Sequence, residues 1–311
     1  MGARLCYRCP LEEIKQSFLL AIETNTISMN DMQYPNLFIV GMPRAGTTSL
    51  SYYLREHPQV SVPPPQFKEP HYFSGDIHPP QVRSEGEYLS LFEHSERKPI
   101  RAEASVFYLF SETAPAAIRM HSANARIVIC LREPSDWLPS LHAMLLRTGR
   151  QQESDLERAW NNGEQATGPY KRILDYPSLF RISSHVERYL GIFARERIHF
   201  MDYKSFCRDP KSCYERLLRF LGLETPMGMK YEKYNSRDTF WAKNLSDLHP
   251  GLRQLAMKIP AGIRHRLSDK IGSLARRGKM DSASPDDAFA RMLKELSARE
   301  VAALRQLGVH P

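Results

Sequence analysis

Short apolar runs alternate with amphipathic stretches along most of this chain, and their spacing sets out the elements in order. Residues 36–40 are an apolar run closed by Gly41, the pattern of a buried strand. From Thr48 the period becomes helical, with Leu50, Tyr53 and Leu54 on one face and a stop at His57-Pro58. Residues 60–65 read as extended and proline-rich. Further strands are expected at 101–105, 126–131 and 197–201, and the run at 126–131 is apolar enough to be buried on both faces. A helix starting near Pro134 places Trp137, Leu141 and Leu145 together, and another over 211–221 stops at Gly222. A basic helical stretch follows at about 248–279, then a Ser/Pro/Asp linker at 282–287 and a last amphipathic helix at 288–307.

Strands alternating with helices imply an α/β fold: one P-loop-type domain with a central parallel sheet flanked by helices on both faces. The expected organisation is an N-terminal extension (1–34), a core (35–245) and a basic helical appendage packed on it (246–311).

Composition narrows the possibilities. The chain has 311 residues, 42% of them hydrophobic, enough for a full core. No apolar stretch reaches about 18 residues, so a membrane-spanning helix is not expected. The polar, basic start lacks an apolar run of signal-peptide quality, since residues 18–22 are too short, and the cytoplasm is the default location. Met29 is an alternative start. Five cysteines do not make a disulfide framework, and the single Cys6/Cys9 pair has no neighbours to complete a zinc shell. A net charge of +8 suits an anionic ligand. The aromatic–basic interleaving of single-strand binders is absent, so a multiply charged nucleotide is expected rather than nucleic acid.

The chemistry gathers in three places. Gly41 and Gly46 frame four residues as in a Walker A loop, but Thr47 stands where the lysine belongs, and Arg44 supplies a cation inside the loop instead. Backbone N–H groups from Ala45 to Ser49, with the hydroxyls of Thr47, Thr48 and Ser49, form an anion nest at a helix start. Arg132 ends a buried strand and Ser140 follows one to two helical turns on, so both reach the same crevice and can grip a second phosphate. Lys68-Glu69-Pro70-His71 offers Glu69 and His71, which share a face if the chain is extended, as a candidate general base and its helper. Lys68 is placed to neutralise an anionic group being transferred.

The loop at 41–48 resembles the 5′-phosphosulfate loop of the PAPS-dependent sulfotransferases (PAPS is 3′-phosphoadenosine 5′-phosphosulfate), whose pattern is close to G-x-P-[KR]-x-G-T-T/S. The stretch 131–140 is similar to that family's 3′-phosphate segment. Residues 68–73 resemble the K-E-x-H-F-F-D motif of the carbohydrate sulfotransferases acting on heparan-type chains, with Ser74 in place of the final aspartate and Asp76 two residues later. The resemblance implies PAPS as co-substrate, PAP as product, no required metal, and Glu69 as the base. It implies acceptor contacts at Glu103 and Ser105, and a nucleotide-covering loop near Tyr234 with Arg237 or Lys243 touching the 3′-phosphate.

The expected reaction is sulfuryl transfer to a hydroxyl, on a carbohydrate or a carbohydrate-bearing small molecule. The arginine-bearing loop is also similar to that of tyrosine sulfotransferases, which keeps a phenolic acceptor open. A P-loop kinase or NTPase, and a nucleotide-binding module without chemistry, are further readings. The basic residues of 258–279 offer either a face for anionic surfaces or a plainly solvated helix.

Overall fold

The computed structural model describes residues 34–93, 98–231 and 287–310. Expectations that fall on Cys6, Cys9, Met29, residues 18–22, Tyr234, Arg237, Lys243 and the basic stretch 258–279 lie outside them.

Five parallel strands form one sheet in the order β2-β3-β1-β4-β5. They are β1 (Leu37–Gly41), β2 (Val60–Ser61), β3 (Ile100–Ala104), β4 (Arg126–Leu131) and β5 (Ile198–Asp202). β4 matches the expected bounds, while β1, β3 and β5 are each displaced by one residue. The two-residue β2 falls within the stretch expected only to be extended, where Pro63 to Pro65 cut it short. β1 is wholly buried and pairs with β3 on one side and β4 on the other. The chain leaves β1 toward one half of the sheet and later returns to fill the other. The carboxyl end of β1 is therefore the point where strand order reverses, the usual place for a ligand crevice.

Helix α1 (Thr47–Glu56) buries Leu50, Tyr53 and Leu54, the face the periodicity marks. Helix α2 (Ala114–His121) precedes β4. Helix α3 (Pro134–Arg147) buries Trp137, Leu138, Leu141 and Leu145. Helix α4 (Ile182–Leu190) precedes β5, and α5 (Tyr203–Arg208) and α6 (Pro210–Leu221) follow it, with Gly222 closing α6 in the left-handed region at φ 70°. The last helix, α7 (Asp287–Gln306), is tied to the core at both neighbours. Ser297 bridges Glu133 and the Ser135 N–H at the start of α3, and Glu300 accepts a bond of 2.8 Å from the Ser183 N–H in α4. Among the described residues, no helix is long and apolar enough to cross a membrane.

Candidate active site

The loop between β1 and α1 is shaped by two close approaches. Gly41 sits at φ 144°, and a Cβ there would stand 2.3 Å from the Cys130 carbonyl of β4, so only glycine lets the strands pack. Gly46 sits at φ 85° and is the N-cap of α1, with no side chain capping the helix. The first-turn N–H groups of a helix have no intrahelical partner, so this end attracts anions. Two loop carbonyls are held from the other side: Trp137 Nε1 donates to Pro43 O at 2.9 Å, and Arg132 Nη1 donates to Arg44 O at 3.3 Å. Arg44 itself has φ 68°, a left-handed conformation that an L side chain adopts only when its surroundings impose it.

Lys68, Glu69 and His71 face this loop across a cleft of about 750 Å³, which Arg44, Gly46, Thr47, Thr48 and Ser49 line from the other wall. The two sequence motifs, some twenty residues apart, thus share one cavity. Glu69 is fixed by its N–H, which donates to Ala104 O of β3 at 3.0 Å, and His71 by its N–H, which donates to Ser105 Oγ at 3.1 Å. Both residues have positive φ, 65° and 55°. The expectation that they share a face through an extended backbone is corrected here: two left-handed residues flanking Pro70 turn both side chains the same way.

Lys68 Nζ lies 2.6 Å from Glu69 Oε1, and His71 Nε2 lies 3.4 Å from Oε2. Burial pushes the Glu69 carboxyl up, but the Lys68 charge and the His71 contact outweigh it and hold the group well below the usual carboxylate range. Glu69 is therefore ionised at any working pH. Ser74, which stands where the resembled motif has an aspartate, is wholly buried with its Oγ 3.4 Å from His71 Nδ1. Asp76 is elsewhere: it accepts from Ser111 Oγ at 2.6 Å and the Glu112 N–H at 2.8 Å, setting the turn that opens α2.

Three further expectations come out differently. Glu103 does not face the cleft; it is fully buried and accepts from Tyr88 OH at 2.5 Å and Tyr108 OH at 3.3 Å. Ser105 is spent on the His71 backbone. Glu103, in β3, and Ser105, just after it, are both buried and so support the site rather than line it. Arg132 stands beside the loop, with its guanidinium 4.9 Å from the Tyr203 ring, yet neither it nor Ser140 lines the cleft itself. Ala45 is buried too, and its N–H, expected in the anion nest, donates instead to Met42 O at 3.1 Å.

The cleft also contains residues the sequence motifs did not mark: His78, Gln81, Phe107, Arg150, Tyr170 and Tyr203. None has a spacing signal, since loops far apart in the chain bring them in. His78 is the most telling, for its ring stacks on that of His71 at 4.1 Å.

A sulfotransferase domain family model matches residues 34–254. The chain is 24% identical over 208 residues to human heparan sulfate glucosamine 3-O-sulfotransferase 6, covering 67% of this chain and 58% of that protein. It is 25% identical over 216 residues to the bifunctional heparan sulfate N-deacetylase/N-sulfotransferase 1 of Caenorhabditis briggsae, covering 65% of this chain and 24% of that one. The chain thus spans about half or less of these relatives. A solved sulfotransferase from Alicyclobacillus acidocaldarius superposes with a TM-score of 0.57 at 28% identity, covering 74% of this chain and 99% of that one. With the anion-binding loop and the carboxylate segment meeting in one cleft and the family model spanning most of the chain, this protein belongs to the sulfotransferase domain family.

Proposed function

We propose that the protein transfers a sulfuryl group from PAPS to a hydroxyl on a carbohydrate or carbohydrate-bearing small molecule, with Glu69 as general base. The observation that carries this reading is the placement of Lys68 and Glu69 opposite the uncapped start of α1 in one cleft. The residues fit the donor's 5′ end: Arg44 and the hydroxyl side chains of Thr47, Thr48 and Ser49 line the cleft at the start of α1, where the helix dipole favours an anion. Arg132 and Ser140 would hold the 3′-phosphate, with Arg237 added from beyond the described residues. The carbohydrate acceptor rests on the likeness of residues 68–73 to the heparan-type motif and on the names of the relatives.

In the reaction, the acceptor oxygen forms a bond to sulfur while the bond from sulfur to the bridging phosphate oxygen breaks, and its electron pair stays on the phosphate. Arg44 and the α1 amides stabilise that developing charge. Glu69 takes the hydroxyl proton at its carboxylate. A carboxylate held low by Lys68 is always ionised but only weakly basic. Drawing Lys68 onto the sulfuryl oxygens would release Glu69 and raise its basicity at the moment the proton must move. His71 orients the carboxylate.

Transfer of labelled sulfate from PAPS to a panel of hydroxyl acceptors tests this reading. Binding of PAP should be tighter than that of adenosine 5′-phosphate, and equal affinity would contradict the assigned 3′-phosphate site. Magnesium-dependent ATP turnover without sulfate transfer would favour a kinase or NTPase instead.

A further inference from the structure

The cleft holds a second histidine that no sequence motif marks and that the proposed reaction leaves without a task. His78 is 8% exposed, and its position is heavily determined. The loop that carries it closes on itself, since the Gln81 and Val82 N–H groups both donate to Pro70 O, at 2.9 and 3.2 Å, and the His78 N–H donates to Ser74 O at 2.9 Å. This closure folds His78 back against His71. Nδ1 of His78 lies 2.7 Å from Pro79 O, which accepts only, so Nδ1 carries the proton and the ring plane is fixed. One face of the ring stacks on His71 at 4.1 Å and 27°, and Phe107 stacks with it at 5.6 Å and 20°.

His71 needs such a wall. Its backbone is held in the left-handed region at φ 55°, where an L side chain persists only if its neighbours determine it. Its two polar ring contacts, Ser74 Oγ and Glu69 Oε2, are both long at 3.4 Å, too weak to fix the ring alone, and the Phe107 and Tyr108 rings lie farther off, tilted at 6.0 Å and edge-on at 6.4 Å. The stack on His78 supplies the missing restraint.

We infer that His78 is a positioning residue: its fixed ring, flanked by Phe107, is the surface that keeps the His71 imidazole turned with Nε2 toward Glu69. Flat ring area does this work. His78 Nε2 is buried without a partner, a burden that a phenyl ring would not carry. The inference rests on the reading of Glu69 and His71 as the base pair, and the test separates the two.

The variants are His78→Ala, which removes the wall, and His78→Phe, which keeps it. In His78→Ala, kcat for sulfate transfer should fall at least tenfold while acceptor KM and PAP affinity stay put, and His78→Phe should recover most of the loss with an equal or higher melting temperature. An unchanged kcat in His78→Ala, a loss that falls on KM, or a failure of His78→Phe to recover would overturn the inference. Side-chain NMR of His71 reads the same point without turnover. Its imidazole resonances should respond to Glu69→Gln in the wild type and in His78→Phe, but not in His78→Ala; a response that survives in His78→Ala overturns the inference. If the wild type transfers no sulfate at all, the proposed reaction fails, while the NMR comparison still decides the role of His78.

Discussion

Glu69 and His71 stand two residues apart with both backbones in the left-handed region, and their carboxylate and imidazole meet at 3.4 Å. Such conformations cost about 1–3 kcal/mol each and persist where the surroundings over-determine them. Here the determinants are identifiable: Ala104 O accepts from the Glu69 N–H, and Ser105 Oγ accepts from the His71 N–H. The end of β3 is thus the template on which the candidate base is built.

The glycines of the anion-binding loop should not tolerate a methyl group. In Gly41→Ala the new Cβ would stand 2.3 Å from a backbone carbonyl that cannot move without disturbing β4. Loss of stability by several kcal/mol is expected, on the order of the largest single-residue effects, and thermal denaturation measures it. Gly46→Ala, at φ 85°, meets side chains rather than backbone, the Phe206 ring at 2.9 Å and the Tyr203 ring at 3.4 Å, so it should fold but bind PAP more weakly.

Trp137→Phe removes the 2.9 Å bond to Pro43 O and frees one loop carbonyl. A single hydrogen bond contributes about 1 kcal/mol, so PAP affinity should drop roughly fivefold by calorimetry. Unchanged affinity would show that the loop is shaped without this tether.

Asp76 tests whether a second carboxylate supports the base. Its bonds go to Ser111 Oγ and the Glu112 N–H, at the entrance to α2. Asp76→Ala should lower stability by about 1–2 kcal/mol, as lost helix-capping groups do, with the transfer rate per folded molecule retained. A selective loss of kcat would return Asp76 to the active site.

Glu103 gives a pH signature. Burial raises its carboxyl from about 4.5 to about 7, against the pull of its hydrogen-bond partners, so the fold favours the protonated form. Its contribution is fully present below about pH 4.5 and is lost as pH rises through about 7. Glu103→Gln keeps an acceptor for Tyr88 and Tyr108 and should flatten that decline in denaturant titrations across the window. Parallel curves for the two proteins would contradict the assignment.

Much of the fold was legible because a parallel sheet buries its strands on both faces and writes them as apolar runs, as at 126–131. Only β2 escaped, being two residues long among prolines. The two halves of the site were also legible, since the glycine frame at 41–46 and the Lys68–His71 cluster each concentrate chemistry within a few residues. Sequence could not tell which side chains turn inward. Glu103 reads as a polar residue at a strand end, but in the fold it is fully buried in contact with two tyrosines. His78 carried no signal because its role depends on a loop closing through backbone bonds to Pro70. The extended-chain argument for Glu69 and His71 put both in one cleft, as the fold does, but through the wrong geometry, since positive φ at two ordinary residues leaves no trace in composition.

The central claim is that Glu69 acts as the base for sulfuryl transfer from PAPS bound at the α1 loop. The most direct measurement is the single-turnover rate of labelled sulfate transfer in wild type and Glu69→Gln, alongside PAP affinity for both. The account predicts a rate loss of about 10²–10⁴-fold, the usual worth of a general base, with PAP affinity unchanged. Transfer by Glu69→Gln at the wild-type rate would contradict it.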